Sequence, residues 1–304
     1  MPSTADTVDA AARTWLAPAK INLALHVTGR RADGYHLLES LVVFTRFGDR
    51  VEIEPADSDR FSVAGRYATS VPIDDSNLVV KAREALRSQA GQQSAPPVVI
   101  RLEKNLPVAS GVGGGSSDAA AVLRGLVRTW GLDIGEAELA RIGLTLGADV
   151  PMCLSAKPLV ARGVGDELSL VPDFPALALV LVNPGVAVST PDVFNALEKR
   201  DNDGLPPLPR GFDFHSMRNW LEVTRNDLES AALAIQPPIG RALSLLNRAG
   251  SGFSRMSGSG ATCFGLFETG NVAKRAAAEI RSREPDWFVA ATRSIASEGA
   301  DGQN

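Results

Sequence analysis

A glycine-rich segment between a predicted strand and a predicted helix constrains the fold of this chain more than any other feature of its sequence. Residues 107–117 read PVASGVGGGSS and follow residues 98–103, whose alternating side chains predict a strand. Residues 117–130 are typical of a helix, which Gly131 ends. A glycine-rich connection from a strand into a helix indicates a place where another group approaches the backbone closely.

Phosphate groups are the ligands that this segment fits best. Glycines allow backbone N–H groups to turn inward, and the start of a helix adds unpaired N–H groups and about half a positive charge. Ser116 and Ser117 can cap the helix or bind the metal ion that accompanies ATP. We therefore predict that the nucleotide phosphates are held by Pro107, Val108, Ala109, Ser110, Gly111, Val112, Gly113, Gly114, Gly115, Ser116 and Ser117.

The glycine cluster taken alone leaves a second interpretation open, which is a flexible loop that ends at an ordinary helix cap. Two well-known phosphate motifs are excluded. A Walker A loop ends in Gly-Lys-Ser or Gly-Lys-Thr, and the first lysine after these glycines is Lys157. A dinucleotide fingerprint needs a third glycine where this chain has Ser116. The segment is therefore predicted to be a phosphate loop of another kind.

Composition narrows the class of protein and of partner. The 304 residues suffice for about two domains, and 31 Lys and Arg against 35 Asp and Glu give no positive field for nucleic acid or anionic lipid. No apolar run is as long as a membrane span, which needs about 20 residues, and residues 1–13 lack the apolar part of a signal peptide. Two distant cysteines and three scattered histidines favour neither a disulfide framework nor a zinc site. We expect a cytoplasmic protein that binds neither nucleic acid nor membranes and has no obligatory protein partner.

The predicted elements follow one another in an irregular order, which is typical of an α+β fold. Alternation over residues 20–27 predicts a half-buried strand with Lys20 and Asn22 on its polar face. Further strands are predicted over 38–44, 51–53, 159–162, 167–171 and 176–182, and near 257–260 and the C-terminus. Helices are predicted after Ser76 or Asn77, after an N-cap at Thr190, and over 136–146, 227–235 and 239–248, with a last one near the C-terminus and a surface loop at 201–214.

Two polar residues outside the loop have the chemistry of a phosphoryl-transfer site. Transfer to an alcohol needs a positioned hydroxyl, neutralised phosphate charge and a group that accepts the hydroxyl proton. Asp149, between Gly147 and Pro151, is the candidate base, and the ammonium of Lys20 is the candidate stabilising charge. The residues alone favour a turn or capping role for Asp149 and a solvated strand position for Lys20.

Five segments of the chain resemble a known family. PVASGVGGGSSDAAA at 107–121 resembles the second motif of the GHMP kinases, which include galactokinase and the homoserine, mevalonate and phosphomevalonate kinases. The match extends to APAKINLALHVTGRRADGYH at 17–36, LTLGADVP at 144–151, NPGVAVSTPDVF at 183–194 and SGSGAT at 257–262. Val112 stands where the family usually has leucine, which is a small change in a motif that acts through its backbone.

The resemblance implies an α+β fold of two lobes with ATP and the acceptor between them. The N-terminal lobe would resemble the second domain of a ribosomal small-subunit protein, and the C-terminal lobe would be ferredoxin-like. We place the lobes at 14–172 and 173–296 and expect flexible ends at 1–13 and 297–304. In the family the lysine matched by Lys20 is the partner of the catalytic aspartate, matched by Asp149, and the segment matched by 257–260 closes the active site.

The GGGSSDAA form, with GYH and GADVP, resembles the member that phosphorylates a cytidine diphosphate-linked tetrol in non-mevalonate isoprenoid synthesis. This resemblance assigns Tyr35, His36 and Phe194 to the cytidine, ATP to the glycine-rich segment and Mg²⁺ as the companion ion. Asn22 is predicted to hydrogen-bond the substrate. Core packing is the alternative for Phe194, and Asp227 also matches the family but follows Asn226, which we read first as a helix cap.

Two rival hypotheses remain. The chain could be another GHMP kinase that acts on homoserine or mevalonate, but those substrates carry no base for the aromatic residues of GYH to stack on. It could also be a catalytically silent member that binds nucleotides or other proteins. The presence of both Lys20 and Asp149 argues against the silent member.

Overall fold

Two β-sheets covered by helices form the body of the protein. The computed structural model describes residues 13–297, and its sheets have six and four strands. The expected flexible ends lie outside the described residues except at Arg13, which begins the first strand, and Ser297. Ser297 is held in place, because its backbone N–H donates to the Phe174 carbonyl at 2.9 Å. No helix in the described range is long and apolar enough to cross a membrane.

The six-stranded sheet is built around one long strand, β2. Along one edge β2 pairs with β1, and along the other it pairs with β4 near its C-terminal end and with β5 near its N-terminal end. The sequence predicted two short strands where β2 is continuous. The residues between the two predicted strands stay in β2, because the β1–β2 register shifts there: Pro18 pairs with Gly48 and Lys20 pairs with Phe44. The strands are β1 (Arg13–Arg30), β2 (His36–Pro55), β3 (Arg60–Ala64), β4 (Val98–Glu103), β5 (Leu159–Arg162) and β6 (Glu167–Leu170).

Four helices pack on this sheet: α1 (Leu78–Ala90), α2 (Gly114–Thr129), α3 (Glu136–Leu146) and α4 (Val150–Ser155). Buried apolar side chains between them and the sheet, such as Phe44, Leu86 and Leu123, form the core of this lobe. Asn77 is the cap of α1, because its side-chain oxygen accepts the Val79 N–H at 2.8 Å. A short 3₁₀ turn (Ala68–Ser70) lies between β3 and α1.

The second sheet has the ferredoxin-like arrangement that the resemblance implied. Its spatial order is β10-β7-β9-β8, and each neighbouring pair is antiparallel. Helices fill the connections from the first strand to the second and from the third to the fourth. The strands are β7 (Ala178–Asn183), β8 (Phe253–Met256), β9 (Cys263–Phe267) and β10 (Phe288–Arg293); the helices are α5 (Thr190–Asn195), α6 (Phe214–Glu222), α7 (Glu229–Ile235), α8 (Pro238–Arg248) and α9 (Gly270–Arg283). The fold class α+β is confirmed, whereas the lobe boundary at 172 and 173 stays a prediction.

Several local expectations were wrong. The strand β1 is buried on both faces from Ala17 to Val27, because the second lobe covers the face that was expected to meet solvent. Ser189, not Thr190, caps α5, and its side chain accepts the Asp192 N–H. The strand β3 and the helices α4 and α6 were not predicted from the sequence.

Candidate active site

A cavity of about 570 Å³ contains most of the residues that the sequence singled out. One wall comes from β1 and β2, one from the glycine-rich segment and the start of α2, and one from the second lobe. The lining includes Lys20, Asn22, Val71, Pro72, Asn77, Leu78, Lys104, Gly111, Gly113, Gly114, Gly115, Ser116, Asp118, Asp149, Thr190, Phe194 and Gly258.

Lys20 and Asp149 form an ion pair in this cavity. The Lys20 Nζ atom lies 2.6 Å from Asp149 Oδ2, which is a short charge-assisted hydrogen bond. The Lys20 side chain is 9% exposed, whereas that of Asp149 is 39% exposed. The buried member of the pair is therefore the cation, and the carboxylate remains open to a molecule in the cavity.

The structure argues against the capping role that the residues alone favour for Asp149. Asp149 occupies the N-cap position of α4, with Pro151 in the first turn, but its side chain makes no capping bond. A capping acid would accept an N–H from the first turn of its helix. The carboxylate instead bonds to Lys20, so the side chain of Asp149 does not cap the helix that it precedes.

The glycine-rich segment leads into α2 earlier than the sequence predicted. The helix begins at Gly114 and not at Ser117, because Gly113 adopts a left-handed conformation with φ 64° and occupies the N-cap position. The first N–H to bond within the turn is that of Ser117, which donates to the Gly113 carbonyl at 2.9 Å. The N–H groups of Gly114, Gly115 and Ser116 are those that a helix start leaves without intrahelical partners. Each of these three residues lines the cavity.

The second glycine cluster packs directly against the first. A Cβ atom on Gly111 would lie 2.5 Å from the Ser257 carbonyl oxygen, and Gly111 has a φ of 74°. The Ser257 hydroxyl donates to the Gly111 carbonyl at 3.1 Å, and the Thr262 N–H donates to the Ser110 carbonyl at 3.1 Å. The resemblance implied that this segment lies beside the loop, and the structure places it there.

Two members of the predicted phosphate loop have side chains that do not reach the cavity. Val112 is buried in the apolar core, and its carbonyl accepts the Lys20 N–H at 2.8 Å. The fully buried Ser117 hydroxyl donates to the Pro18 carbonyl at 2.7 Å. Of the two serines considered for a metal ion, only Ser116 therefore lines the cavity.

Asn22 follows Lys20 by two residues and lines the same wall. Its backbone N–H donates to the Ser257 hydroxyl at 3.1 Å, and its side-chain nitrogen donates to the Ser40 hydroxyl at 2.8 Å. These bonds use the backbone N–H and one of the two side-chain N–H groups of Asn22, and its amide oxygen is an acceptor.

An aromatic pair, His36 and Phe194, stands beside the cavity. The rings of His36 and Phe194 are stacked with centroids 4.8 Å apart, and Phe194 lines the cavity. Burial lowers the pKa of His36, and the nearby charges of Arg30 and Arg200 lower it further, so the imidazole is neutral at pH 7. Tyr35 is separate from this pair: the residue is 67% exposed, on the turn between β1 and β2.

A buried cluster of three ionisable residues at the start of α2 was not predicted from the sequence. Lys104 Nζ donates to Asp49 Oδ2 at 2.5 Å and to Asp118 Oδ2 at 2.7 Å, and Asp118 Oδ1 is buried without a partner among the described residues. Burial, together with the Asp49 carboxylate, raises the pKa of Asp118 to about 8 against the opposing effect of Lys104. The one available signal was a lysine that directly follows β4 and precedes the loop by three residues.

Asn226 and Asp227 hold the second lobe to β1 and lie outside the cavity. The Asn226 side-chain nitrogen donates to the carbonyls of Met256 and Gly258, and α7 begins only at Glu229, so Asn226 is not its N-cap. Asp227 Oδ2 accepts the Val27 N–H at 2.7 Å. Both residues are occupied by structural bonds.

Comparison with known proteins adds family information to this geometry. The family model described as the GHMP kinases N terminal domain matches residues 77–157, and the model described as GHMP kinases C terminal matches residues 211–286. A 4-diphosphocytidyl-2-C-methyl-D-erythritol kinase of Mesorhizobium japonicum is 79% identical over 290 residues, which cover 95% of this chain and 98% of that protein.

Solved structures agree with these matches. A crystal structure of a 4-(cytidine 5'-diphospho)-2C-methyl-D-erythritol kinase is 34% identical with a TM-score of 0.78, covering 93% of this chain and 100% of that one. The homoserine kinase of Cytophaga hutchinsonii is 18% identical with a TM-score of 0.70, covering 99% of this chain and 98% of that one. At that identity the second similarity concerns the fold alone.

Proposed function

This chain belongs to the GHMP kinases, and from that membership we propose that it transfers the γ-phosphoryl group of ATP to the 2-hydroxyl of 4-diphosphocytidyl-2-C-methyl-D-erythritol. The protein is a small-molecule kinase of the non-mevalonate isoprenoid pathway. The observation that carries the proposal is the Lys20–Asp149 ion pair beside a free helix start, in a chain so close to kinases of this name. A cytoplasmic location, where ATP is available, is part of the same proposal.

Asp149 is the proposed proton acceptor. Its Oδ2 atom is bonded to Lys20, so Oδ1 is the oxygen available to the acceptor hydroxyl. Lys20 fixes the direction of the carboxylate and neutralises charge that develops between the hydroxyl oxygen and the γ-phosphate. The buried position of Lys20 strengthens this effect, because less water screens the ammonium.

The helix start is the proposed phosphate site. The N–H groups of Gly114, Gly115 and Ser116 face the cavity wall where the partial positive charge of α2 is greatest. Val71, Pro72 and Leu78 provide an apolar wall next to it, which suits the adenine ring. We therefore place the adenosine between α1 and the loop, with the γ-phosphate toward Asp149.

Mg²⁺ is the proposed companion ion, and the residues present fit an ion that arrives with the nucleotide. No group of three or more His, Cys, Asp or Glu in the described residues could hold a metal ion by itself. Mg²⁺ in phosphoryl-transfer sites usually takes one or two protein oxygens and the phosphates of the substrate. The Ser116 hydroxyl, which lines the cavity, would supply such an oxygen. When bound, the ion neutralises phosphate charge.

The cytidine is proposed to lie at the His36–Phe194 end. A neutral imidazole offers one donor and one acceptor for the edge of a base, and the Phe194 ring offers an aromatic face. His36 Nε2 is buried without a hydrogen-bond partner among the described residues. Tyr35 is proposed to cover the base from the exposed turn, which requires its ring to move inward.

A substrate comparison tests this function. Purified protein is incubated with ATP and Mg²⁺ and with 4-diphosphocytidyl-2-C-methyl-D-erythritol, homoserine or mevalonate, and phosphorylated product and ADP are measured. We expect product only from the cytidylyl alcohol. Phosphorylation of homoserine or mevalonate without product from the cytidylyl alcohol would reject the substrate, and no product from any of the three would favour the silent-member hypothesis. A reaction without ATP is the control.

A further inference from the structure

The direction of the Asp149 carboxylate is not set within its own helix. The helix α4 has only six residues, and Asp149 makes no side-chain cap bond at its start. Such a short helix is not stable by itself and depends on tertiary packing. The elements against which α4 packs therefore determine where the catalytic carboxylate points.

The first of these contacts is made by Ser117 of α2. Its hydroxyl donates to the Pro18 carbonyl at 2.7 Å and lies 3.4 Å from Cys153 Sγ. Burial and the Asp149 charge raise the pKa of Cys153 to about 12, so the thiol keeps its hydrogen and can donate to the serine oxygen. Pro18 precedes Lys20 by two residues and Cys153 follows Asp149 by one helical turn. Ser117 thus connects the two segments that carry the ion pair.

The second contact is made by Arg124, seven residues after Ser117 and hence on the same face of α2. Its Nη1 atom donates to the Leu154 carbonyl at 3.2 Å, in the last turn of α4. Cations near a helix C-terminus bond its free carbonyls and interact favourably with its dipole. Burial lowers the pKa of the Arg124 guanidinium, and its Nε atom has no partner among the described residues.

The opposite side of α4 is closed by α3. A Cβ atom on Gly143 would lie 3.0 Å from Val150 Cγ1 and 3.1 Å from Leu154 Cδ1, so the two helices pack closely there. The helix α3 therefore contacts one side of α4, and Ser117 and Arg124 hold the other. Loss of the bond between Arg124 and the Leu154 carbonyl would release the C-terminal end of α4 from α2.

We propose that Arg124 is a positioning residue for phosphoryl transfer: together with Ser117 it holds α4 so that the Asp149 carboxylate stays against Lys20. The proposal rests on the proposed function, because it concerns the geometry of the same catalytic base. Arg124 lies outside the cavity lining and touches no reacting atom. Its effect is expected in turnover and not in the binding of either substrate.

The test compares R124M and R124K with the wild type, with R128M as the matched control on the exposed side of the same helix. We expect R124M to lower kcat about 10- to 100-fold, as displacements on the order of 1 Å do, with both KM values changed less than about twofold. R124K keeps a donor for the Leu154 carbonyl and is expected to recover most of kcat, and R128M is expected to match the wild type.

Wild-type turnover of the cytidylyl alcohol tests the proposed function, whereas the ratio of variant to wild-type kcat tests the positioning role. A folded R124M enzyme with wild-type kcat overturns the proposal, as does a lowered kcat that R124K does not restore. If R124M does not fold, R124Q is used instead, because its shorter side chain keeps a polar group at the buried site. A several-fold lower kcat in R124Q than in R124K, with unchanged KM values, then supports the proposal, and a wild-type kcat in R124Q overturns it.

Discussion

Lys20 Nζ and Asp149 Oδ2 lie 2.6 Å apart although 129 positions separate the two residues in the sequence. The lysine comes from the central region of β1, immediately after a register irregularity, and the aspartate from the start of a six-residue helix. The backbone N–H of Lys20 donates to the carbonyl of Val112, which belongs to the glycine-rich segment. The ion pair therefore forms where the sheet, the glycine-rich segment and α4 meet.

The first prediction concerns the base itself. Asp149→Asn keeps the shape of the side chain but removes its ability to accept a proton, so kcat is expected to fall about 10²- to 10⁴-fold. The affinity for ATP is expected to stay within about twofold, because the helix start binds the phosphates. Steady-state kinetics and nucleotide titration measure these effects. Asp57→Asn, at an exposed position, is the control, and a D149N enzyme with normal kcat would remove Asp149 from the mechanism.

The second prediction concerns the contact between the two glycine clusters. Gly111→Ala places a methyl group 2.5 Å from the Ser257 carbonyl oxygen and requires a left-handed backbone from alanine. We expect a lower free energy of unfolding, by about 1–3 kcal/mol, and weaker ATP binding, since the loop must shift. Urea unfolding and nucleotide titration measure both. Gly270→Ala, where a Cβ meets nothing within 4 Å, is expected to stay within about 0.5 kcal/mol of the wild type, and equal effects of the two substitutions would contradict the argument.

The positions of the site residues in the structure show what could be predicted from this sequence alone. Alternation along β1 correctly placed Lys20 and Asn22 on one wall, because residues two apart share a face of a strand. The pairing of Lys20 with Asp149 came from family resemblance, since no local pattern relates residues this far apart. The buried cluster of Asp49, Lys104 and Asp118 was not predicted, because charged residues near strand ends are usually solvated and only tertiary packing buries these.

The prediction of individual helices failed in places for comparable reasons, although the α+β fold class was confirmed. The helices that periodicity identified, such as α1 and α3, have enough turns for an apolar face to repeat. The helix α4 has six residues, so its existence depends on α2 and α3 and not on its own pattern. The start of α2 was displaced by three residues because the left-handed Gly113 replaces a side-chain cap.

The third prediction concerns the substrate end. Phe194→Leu keeps an apolar side chain but removes the aromatic face, and stacking of this kind contributes about 0.5–1.5 kcal/mol. We expect KM for the cytidylyl alcohol to rise about 2- to 10-fold, with KM for ATP unchanged. Phe194→Tyr retains the ring and is expected to behave like the wild type. If Phe194 only packs in the core, F194L will change thermal stability and leave both KM values equal to those of the wild type.

The fourth prediction concerns the pH dependence of stability that Asp118 produces. Its pKa is raised to about 8 in the folded protein, against about 3.9 in an unfolded chain. Between these values the folded state binds one proton more than the unfolded state, so the free energy of unfolding decreases as the pH rises. The contribution is fully present below about pH 4 and is lost as the pH rises through about 8, where Asp118 becomes charged beside Asp49.

Asp118→Asn removes this ionisation while it keeps a side chain that can contact Lys104. Urea unfolding at half-unit intervals from pH 6 to pH 9 is expected to show a smaller decline in the free energy of unfolding for D118N than for the wild type. The difference between the two curves should level off above the pKa of Asp118, because both states of the wild type are then deprotonated. The exposed Asp133→Asn is the matched control and should follow the wild-type curve. An identical decline in D118N and the wild type would show that Asp118 is already ionised at neutral pH and that Lys104 outweighs the effect of burial.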